Sequence, residues 1–234
     1  MINILGLRGG HSPYCVGAIG HLHEQQEMLN YYHAIKQVWE SYGHVVVDCN
    51  SNANTQNGEL SEGARKANNA SIDLFVSLHM NSFNGNAYGT ETWTYGSGSR
   101  ANPYAQKLVD NFKELGFTNR GVKHNKNYYE MQNINAPNII FETLFCDNAE
   151  DVDKYNNIRW KQLAHAFCNA LDSNIPFTPP TPIIPPTKPT EEVESDVFYR
   201  VVVGSYKNKN NANIIMEEAK NKGFKDAFLV AFTK

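Results

Sequence analysis

At 234 residues the chain is longer than one average domain and barely long enough for two. Hydrophobic residues make up 41% and charged residues 19%, a folded rather than a disordered composition. A net charge of −3 argues against the basic surface that binds nucleic acid, and the four cysteines (Cys15, Cys49, Cys146, Cys168) hold no CxxC pair, which argues against a zinc knot or a redox dithiol.

The chain opens on the apolar run Ile2–Leu7, a strand candidate. It carries no basic n-region or small-residue cleavage site, and no stretch approaches the ~20 apolar residues of a membrane span. The expectation is synthesis in the cytoplasm without a signal peptide, with delivery to any extracytoplasmic target by other means. A helix is predicted over Glu24–Tyr42, stopped by Gly43 at the position where a C′ glycine belongs. Further strands are predicted at Val45–Val47, Leu74–Leu78, Glu91–Thr94 and Asn138–Phe141, and further helices at Leu60–Asn69, Pro103–Leu115 and Val152–Leu171. Short apolar strands separated by helices predict an α/β fold, with a mainly parallel twisted sheet flanked by helices.

From Ser173 to Asp196 the sequence reads SNIPFTPPTPIIPPTKPTEEVESD and holds seven of the ten prolines. Proline blocks helices and central strands, so residues 173–196 are expected to form an extended, semi-rigid linker between a domain at 1–172 and a module at 197–234. In that module Phe198–Val203 reads as a strand, Asn210–Lys222 as a helix ended by Gly223, and Ala227–Ala231 as a second strand, a small βαβ unit. A unit of this size is small to be stable alone.

Three polar residues follow strand-like runs: His11 after an Arg-Gly-Gly turn, His79 after Leu74–Leu78, and Glu142 after Asn138–Phe141. In parallel sheets the ligand crevice lies outside the carboxyl ends of the strands, so these side chains are expected to converge there. Imidazoles and carboxylates in one cleft suit a zinc-type cation, which needs a third protein ligand. His21, His23, Glu24 and Glu27 are all candidates on spacing. Glu24 opens a helix, where the dipole favours its charge. No HExxH occurs.

At this point the residues resemble a known family. Gly10-His11, Glu24 heading a helix that closes with Gly43-His44-Val45-Val46, Asp73–Asn81 (DLFVSLHMN), Gly89-Thr90-Glu91-Thr92, Asn119–Lys123 (NRGVK) and Ala136–Glu142 (APNIIFE) followed by Cys146-Asp147-Asn148 are similar, in order, to the zinc-dependent N-acetylmuramoyl-L-alanine amidases of autolysins and phage endolysins. The resemblance covers residues 1–171. It implies hydrolysis of the amide between N-acetylmuramic acid and L-alanine, with His11, Glu24 and His79 as Zn²⁺ ligands and Glu142 as the catalytic carboxylate. It departs from the family at the first ligand, where Gly-His-Ser-Pro replaces Gly-His-Gly-Gly. Asn81 and His124 are expected at the substrate, Glu91 is expected as a packed strand carboxylate, and His44 and His165 as structural.

The segment from Phe198 to Tyr206, with Asn211-Ala212 and Gly223–Val230, resembles one half of a sporulation-related (SPOR) repeat, a family that binds glycan strands. A complete domain has two such halves, so either two chains contribute one half each, giving a homodimer, or the half-unit is degenerate; pairing is the preferred reading. The expected partners are peptidoglycan and its glycan strands, not nucleic acid or membrane, with action on the wall after release by phage-induced or mother-cell lysis. The alternatives are a peptidoglycan carboxy- or endopeptidase on a similar zinc site and a non-catalytic wall-binding protein. A glycosidase would require two carboxylates flanking a sugar cleft.

Overall fold

A computed structural model describes residues 2–158, 160–180, 209–221, 223–225 and 227–231. The chain divides into two units, Met1–Thr181 and Pro182–Lys234. The first contains β1 (Ile4–Arg8), α1 (Glu24–Ser41), β2 (Val45–Asp48), α2 (Gln56–Asn68), β3 (Leu74–Asn81), β4 (Thr90–Thr94), α3 (Asn102–Glu114), β5 (Asn119–His124), α4 (Tyr129–Asn133), β6 (Asn138–Phe145), α5 (Ala149–Asn157) and α6 (Trp160–Leu171).

The strands form one six-stranded sheet in the order β2-β1-β3-β6-β4-β5. β2, β1, β3 and β6 run parallel, β4 is antiparallel to β6, and β5 is parallel to β4. This is the mainly parallel, helix-flanked sheet that the sequence predicts.

Strand alternation divides the sheet into two faces. Leu5 and Leu7, then Leu74, Val76, Leu78 and Met80, then Ile139 and Phe141, pack into the main core with Met28, Tyr31, Ile35 and Trp39 of α1, Leu108 and Phe112 of α3, and Phe167 of α6. On the other face Phe75 joins Cys49, Ala64, Ala67 and Ile134 in a smaller core against α2 and the end of α4. Further along that second face the inward positions become polar: Ser77 and His79 on β3, Glu142 on β6, Glu91 and Trp93 on β4, and Lys123 on β5. The main core anchors the sheet from behind, and this polar row is free for chemistry.

Several boundaries differ from the expected ones, each for a physical reason. β3 runs on to Asn81 and β6 to Phe145, so His79 and Glu142 lie within strands rather than at their ends. The apolar pattern stops there only because the cleft-facing positions are polar. The single helix expected over Val152–Leu171 is two, because Ile158 adopts an extended conformation (φ −98°, ψ 131°) that ends α5. α2 begins at Gln56, earlier than expected, because Thr55 caps it by accepting from Gly58 N at 3.1 Å. The chain beyond residue 172 is still part of the first unit: Ile175 is fully buried in the core, and Pro176 O and Phe177 O accept from His165 Nδ1 (2.8 Å) and Gln162 Nε2 (3.0 Å).

In the second unit α7 (Lys209–Asn221) forms where a helix is expected. The strand expected at Ala227–Ala231 does not: these residues have no regular structure, since a strand forms only by pairing with another. The strand expected at 198–203 lies outside the described residues. No described helix is long and apolar enough to cross a membrane.

Candidate metal centre

His11 is brought to the sheet by Gly10, which takes φ 73° and passes so close to β3 that a Cβ there would lie 2.3 Å from Leu78 O. A side chain is excluded on both counts. Glu24 is the first residue of α1 and almost wholly buried. Its Oε2 accepts from Ala18 N at 2.7 Å and its Oε1 from Met80 N at 3.0 Å, so backbone amides from two segments fix the carboxylate. His79 sits on β3 one strand away from Glu142, its partner in register on β6.

The three side chains share one point. His11 Nε2 lies 3.3 Å and His79 Nδ1 2.9 Å from the same Glu24 Oε1. One donor atom from each residue falls within 4.8 Å of the other two. The other ring nitrogens face away: His79 Nε2 is 3.0 Å from Ser77 Oγ, and His11 Nδ1 is 3.4 Å from Glu59 Oε1, an ion-pair contact longer than a good hydrogen bond. The Ser77 contact is of the kind that sets the tautomer leaving a lone pair on the inner nitrogen of His79, as a ligating histidine requires, whereas His11 Nδ1 makes no hydrogen bond among the described residues and has only the Glu59 carboxylate near it. Two imidazoles and one carboxylate at one point form a donor set that suits zinc.

Charge within the cluster is strongly coupled. Burial alone would raise the Glu24 carboxyl, but the hydrogen bonds and charges of His11 and His79 hold it well below the usual carboxylate range. Burial alone would lower the His79 imidazole, and the hydrogen bond and charge of Glu24 instead carry it up to about 9.

Glu142 differs from every carboxylate around it. Its Oε2 is withdrawn from solvent and has no hydrogen-bond partner among the described residues. Burial pushes its carboxyl up to about 7, with the charges of Glu24 and Glu91 adding to the rise and those of His79 and Lys123 opposing it. Glu91 is in register with it on β4 and is buried, but fully partnered. Arg120 Nε and Lys123 Nζ each donate to Glu91 Oε2 at 2.6 Å, while Trp93 Nε1 (3.1 Å) and Asn81 Nδ2 (3.3 Å) donate to Oε1. Its carboxyl is held low by these two cations against the effect of burial.

Behind the first histidine lies a buried ionic group that the sequence pattern did not mark. Arg8 ends β1, is buried, and pairs with Glu130 of α4 at 3.2 Å and Glu59 of α2 at 3.9 Å, and its Nη2 donates to Gly10 O. Glu59 Oε2 accepts from Ser12 N at 2.6 Å. The charged Arg8 at the end of an otherwise apolar strand was the available signal, since a buried arginine requires acidic partners; its sequence does not say which.

The other expected residues fall outside the cluster. Glu27 accepts from Tyr155 Oη at 3.2 Å, His23 is the N-cap of α1, and His21 meets Cys146 O through its backbone N. Asn81 serves Glu91. His124 bonds Thr94 Oγ1 at 2.9 Å, on the alternate side of β5 from Lys123; that hydroxyl also meets Asn102 of α3. His44 stacks on Trp39 and bonds Asp172, and His165 is buried against Pro176 O, both within the fold.

Fold and cleft together define a class: an α/β domain with a metal-type donor cluster beside a carboxyl on a central strand, one of whose oxygens is buried without a hydrogen-bond partner among the described residues. Comparison with known proteins gives the particular family. Residues 6–173 match the family described as N-acetylmuramoyl-L-alanine amidase, and the chain belongs to it. An uncharacterized protein of Clostridium perfringens is 36% identical over 156 residues, covering 64% of this chain and 46% of that protein. The sporulation-specific N-acetylmuramoyl-L-alanine amidase of Bacillus subtilis is 25% identical over 225 residues, covering 94% of this chain and 82% of its own length. Among solved structures, the catalytic domain of the CD27L endolysin targeting Clostridia difficile superposes with a TM-score of 0.66 at 27% identity, over 75% of this chain and 99% of that domain. The chain spans about half the length of the Clostridium perfringens relatives it matches, 46% and 52%.

Proposed function

We propose that this chain hydrolyses the amide between N-acetylmuramic acid and L-alanine in peptidoglycan, with zinc held by His11, Glu24 and His79 and Glu142 as the catalytic carboxylate. One observation carries the reading: three donor atoms from separate segments meet within 4.8 Å beside a buried carboxyl oxygen that has no hydrogen-bond partner among the described residues. When bound, zinc supplies Lewis-acid polarisation of the amide carbonyl and a lowered pKa for water. Glu142 takes the proton of the attacking water and hands it to the departing L-alanine nitrogen, which must be protonated to leave. Burial suits it to both halves of this transfer, because a carboxyl near neutrality can accept and release a proton. Glu24 and His79 are preset by their outer hydrogen bonds and His11 by the tight turn at Gly10, so little ordering remains to be done when the cation binds.

Digestion of purified walls with and without a chelator, followed by mass spectrometry of the released peptides, tests this. The expected products are stem peptides with a free L-alanine amino group and uncut glycans, lost on chelation. Cleavage inside the stem peptide would instead establish the peptidase alternative. The relatives named as a sporulation-specific amidase and an endolysin domain support action on the wall after lysis of the producing cell.

For residues 197–234 we propose glycan-strand binding, with two chains each contributing half of a SPOR-like unit. Support comes from the short second unit, which leaves Phe224, Leu229 and Val230 exposed, an apolar surface that calls for cover. Light scattering at micromolar concentration checks it; a monomer with an ordered C-terminus counts against pairing.

A further inference from the structure

The Glu91 group is built more elaborately than a packed strand carboxylate needs. Four donors converge on it, and two of them are cations. Arg120 and Lys123 thus bring two positive charges to one negative charge, and among the described residues neither makes a second ion pair. Their side chains are each 33% exposed, whereas that of Glu91 is 2% exposed. Both retain unused donors: Lys123 spends one N–H on Glu91, and Arg120 spends one there and one on Tyr88 O. The ring of Trp93 lies under Lys123 Nζ at 5.2 Å and that of Phe145 under the Arg120 guanidinium at 4.9 Å, which hold the cations in place on apolar supports. The result is a fixed, half-open seat in which two cations share the one carboxylate they bond.

Its position follows from strand geometry. His79, Glu142 and Glu91 occupy one row across β3, β6 and β4, and Lys123 pairs with Trp93, two residues along the same face from Glu91. Neighbouring strands are ~4.8 Å apart, so the cations lie roughly 5–10 Å beyond Glu142, on the side away from the His11–Glu24–His79 cluster. An extended peptide covers ~3.3–3.6 Å per residue. A leaving peptide whose nitrogen is at Glu142 and which runs across β4 towards β5 is therefore long enough to reach Arg120 and Lys123 with its next residue.

We propose that Arg120 and Lys123, positioned by Glu91, form a subsite for a free carboxylate on the stem-peptide residue that follows L-alanine. This rests on the amidase reading and adds to it a substrate preference: unamidated over amidated stems. A carboxylate takes two charge-assisted hydrogen bonds here, while the corresponding carboxamide brings no charge and presents N–H groups to donors.

The test uses the full chain with zinc and two soluble muramyl tripeptides that differ only in whether the second residue carries a free α-carboxylate or its carboxamide. The wild-type protein is expected to favour the carboxylate by roughly tenfold or more in kcat/KM, chiefly through KM. Lys123→Gln and Arg120→Gln should each pull that ratio towards one, Lys123→Arg should keep it, and raising the salt concentration should shrink it for the wild type. Calorimetry with the two released peptides should show the same preference without turnover. A role confined to supporting the fold would lower activity on both substrates alike and leave the ratio in place. Equal cleavage of both substrates by the wild type, or a ratio that survives both glutamine variants, overturns this inference alone. Cleavage of neither substrate overturns the amidase reading and this inference with it. Should Lys123→Gln not fold, Arg120→Gln and the salt dependence of the wild-type ratio decide the matter.

Discussion

Glu91 and Glu142 face each other in register across the antiparallel β4–β6 pair, one with four donors on its carboxylate and the other with a buried oxygen that has none. Two carboxylates on adjacent strands are thus driven apart: cations hold Glu91 ionised, while burial raises Glu142 to about 7. Such a separation of neighbouring acids marks the one that moves protons. Glu142→Gln keeps the shape and removes the base. The expected result is a loss of at least about 10²-fold in kcat, with zinc content by atomic absorption unchanged. Wall lysis by this variant at near the wild-type rate would remove Glu142 from the mechanism.

The same group sets the acid side of the pH profile. Glu142 acts as a base only when ionised, and its carboxyl ionises as pH rises through about 7 when the cluster holds no cation. A bound cation favours the ionised form, so the acid limb of kcat/KM should have its midpoint below that value and fall about tenfold per pH unit under it. An acid limb with its midpoint above about 7 in the zinc-loaded protein would contradict this.

Without metal, the cluster should make stability depend on pH in a defined window. His79 has its folded pKa raised from 6.5 to about 9, so its contribution is complete below 6.5 and is lost as pH rises through about 9. Glu24, held below 4.5, contributes above 4.5 and loses its effect only as pH falls through its own low value, well outside that range. Thermal melts of metal-free protein should therefore show Tm falling between pH 6.5 and 9. Zinc, which takes the imidazole as the neutral ligand, should reverse the trend.

Glu59 supplies a separate test of the donor set. Its carboxylate stands 3.4 Å from His11 Nδ1 and accepts from the backbone N of the next residue, Ser12, at 2.6 Å, so it fixes the backbone that carries the ring. Glu59→Gln should weaken zinc binding by about 10–100-fold in a chelator competition while leaving the fold intact. Unchanged affinity would mean that His11 is oriented by something else.

Much of this architecture was legible in the sequence, and the parts that were not share a cause. Apolar runs marked β1, β3 and β6 because both faces of those strands are largely covered, and the runs of β3 and β6 ended at polar residues because that is where the cleft begins; β2, an edge strand, was marked by its three valines alone. β5 reads Asn-Arg-Gly-Val-Lys-His, a half-exposed edge strand with one aliphatic side chain, and gives no alternation to read. Glu59 and Glu130 lie on helices, where an acidic residue ordinarily means a solvated face, and only the folded chain shows that both are turned in towards Arg8. His124 and Lys123 are adjacent in sequence but lie on opposite sides of the strand, and spacing alone cannot show which of them faces the cleft.

Arg8 therefore carries a stability prediction. Its side chain and those of Glu59 and Glu130 are all at least 96% buried, as their exposures of 2%, 2% and 4% require. Arg8→Met would leave two carboxylates inside the protein without their cation, at a cost of about 3–5 kcal/mol. Urea denaturation checks the value. A loss under about 1 kcal/mol would show that water reaches the pair and screens it.

Gly17 tests how tightly the loop after His11 is fitted to the cluster. It takes φ 68°, and a Cβ there would lie 2.3 Å from Glu24 Oε2 and 2.5 Å from His11 Cδ2, two of the three proposed ligand residues at once. Gly17→Ala combines backbone strain with direct displacement of both groups, so it should lower zinc affinity by about tenfold or more as well as stability. Gly116 separates the two effects. It has φ 99° at the end of α3, and a Cβ there meets nothing within 4 Å. Gly116→Ala should cost about 1 kcal/mol or more of stability through strain alone and leave zinc affinity as it was. If the two variants lose stability alike and neither loses affinity, the loop is not what holds His11 and Glu24 together, and the cluster is set by the turn after β1, by α1 and by β3.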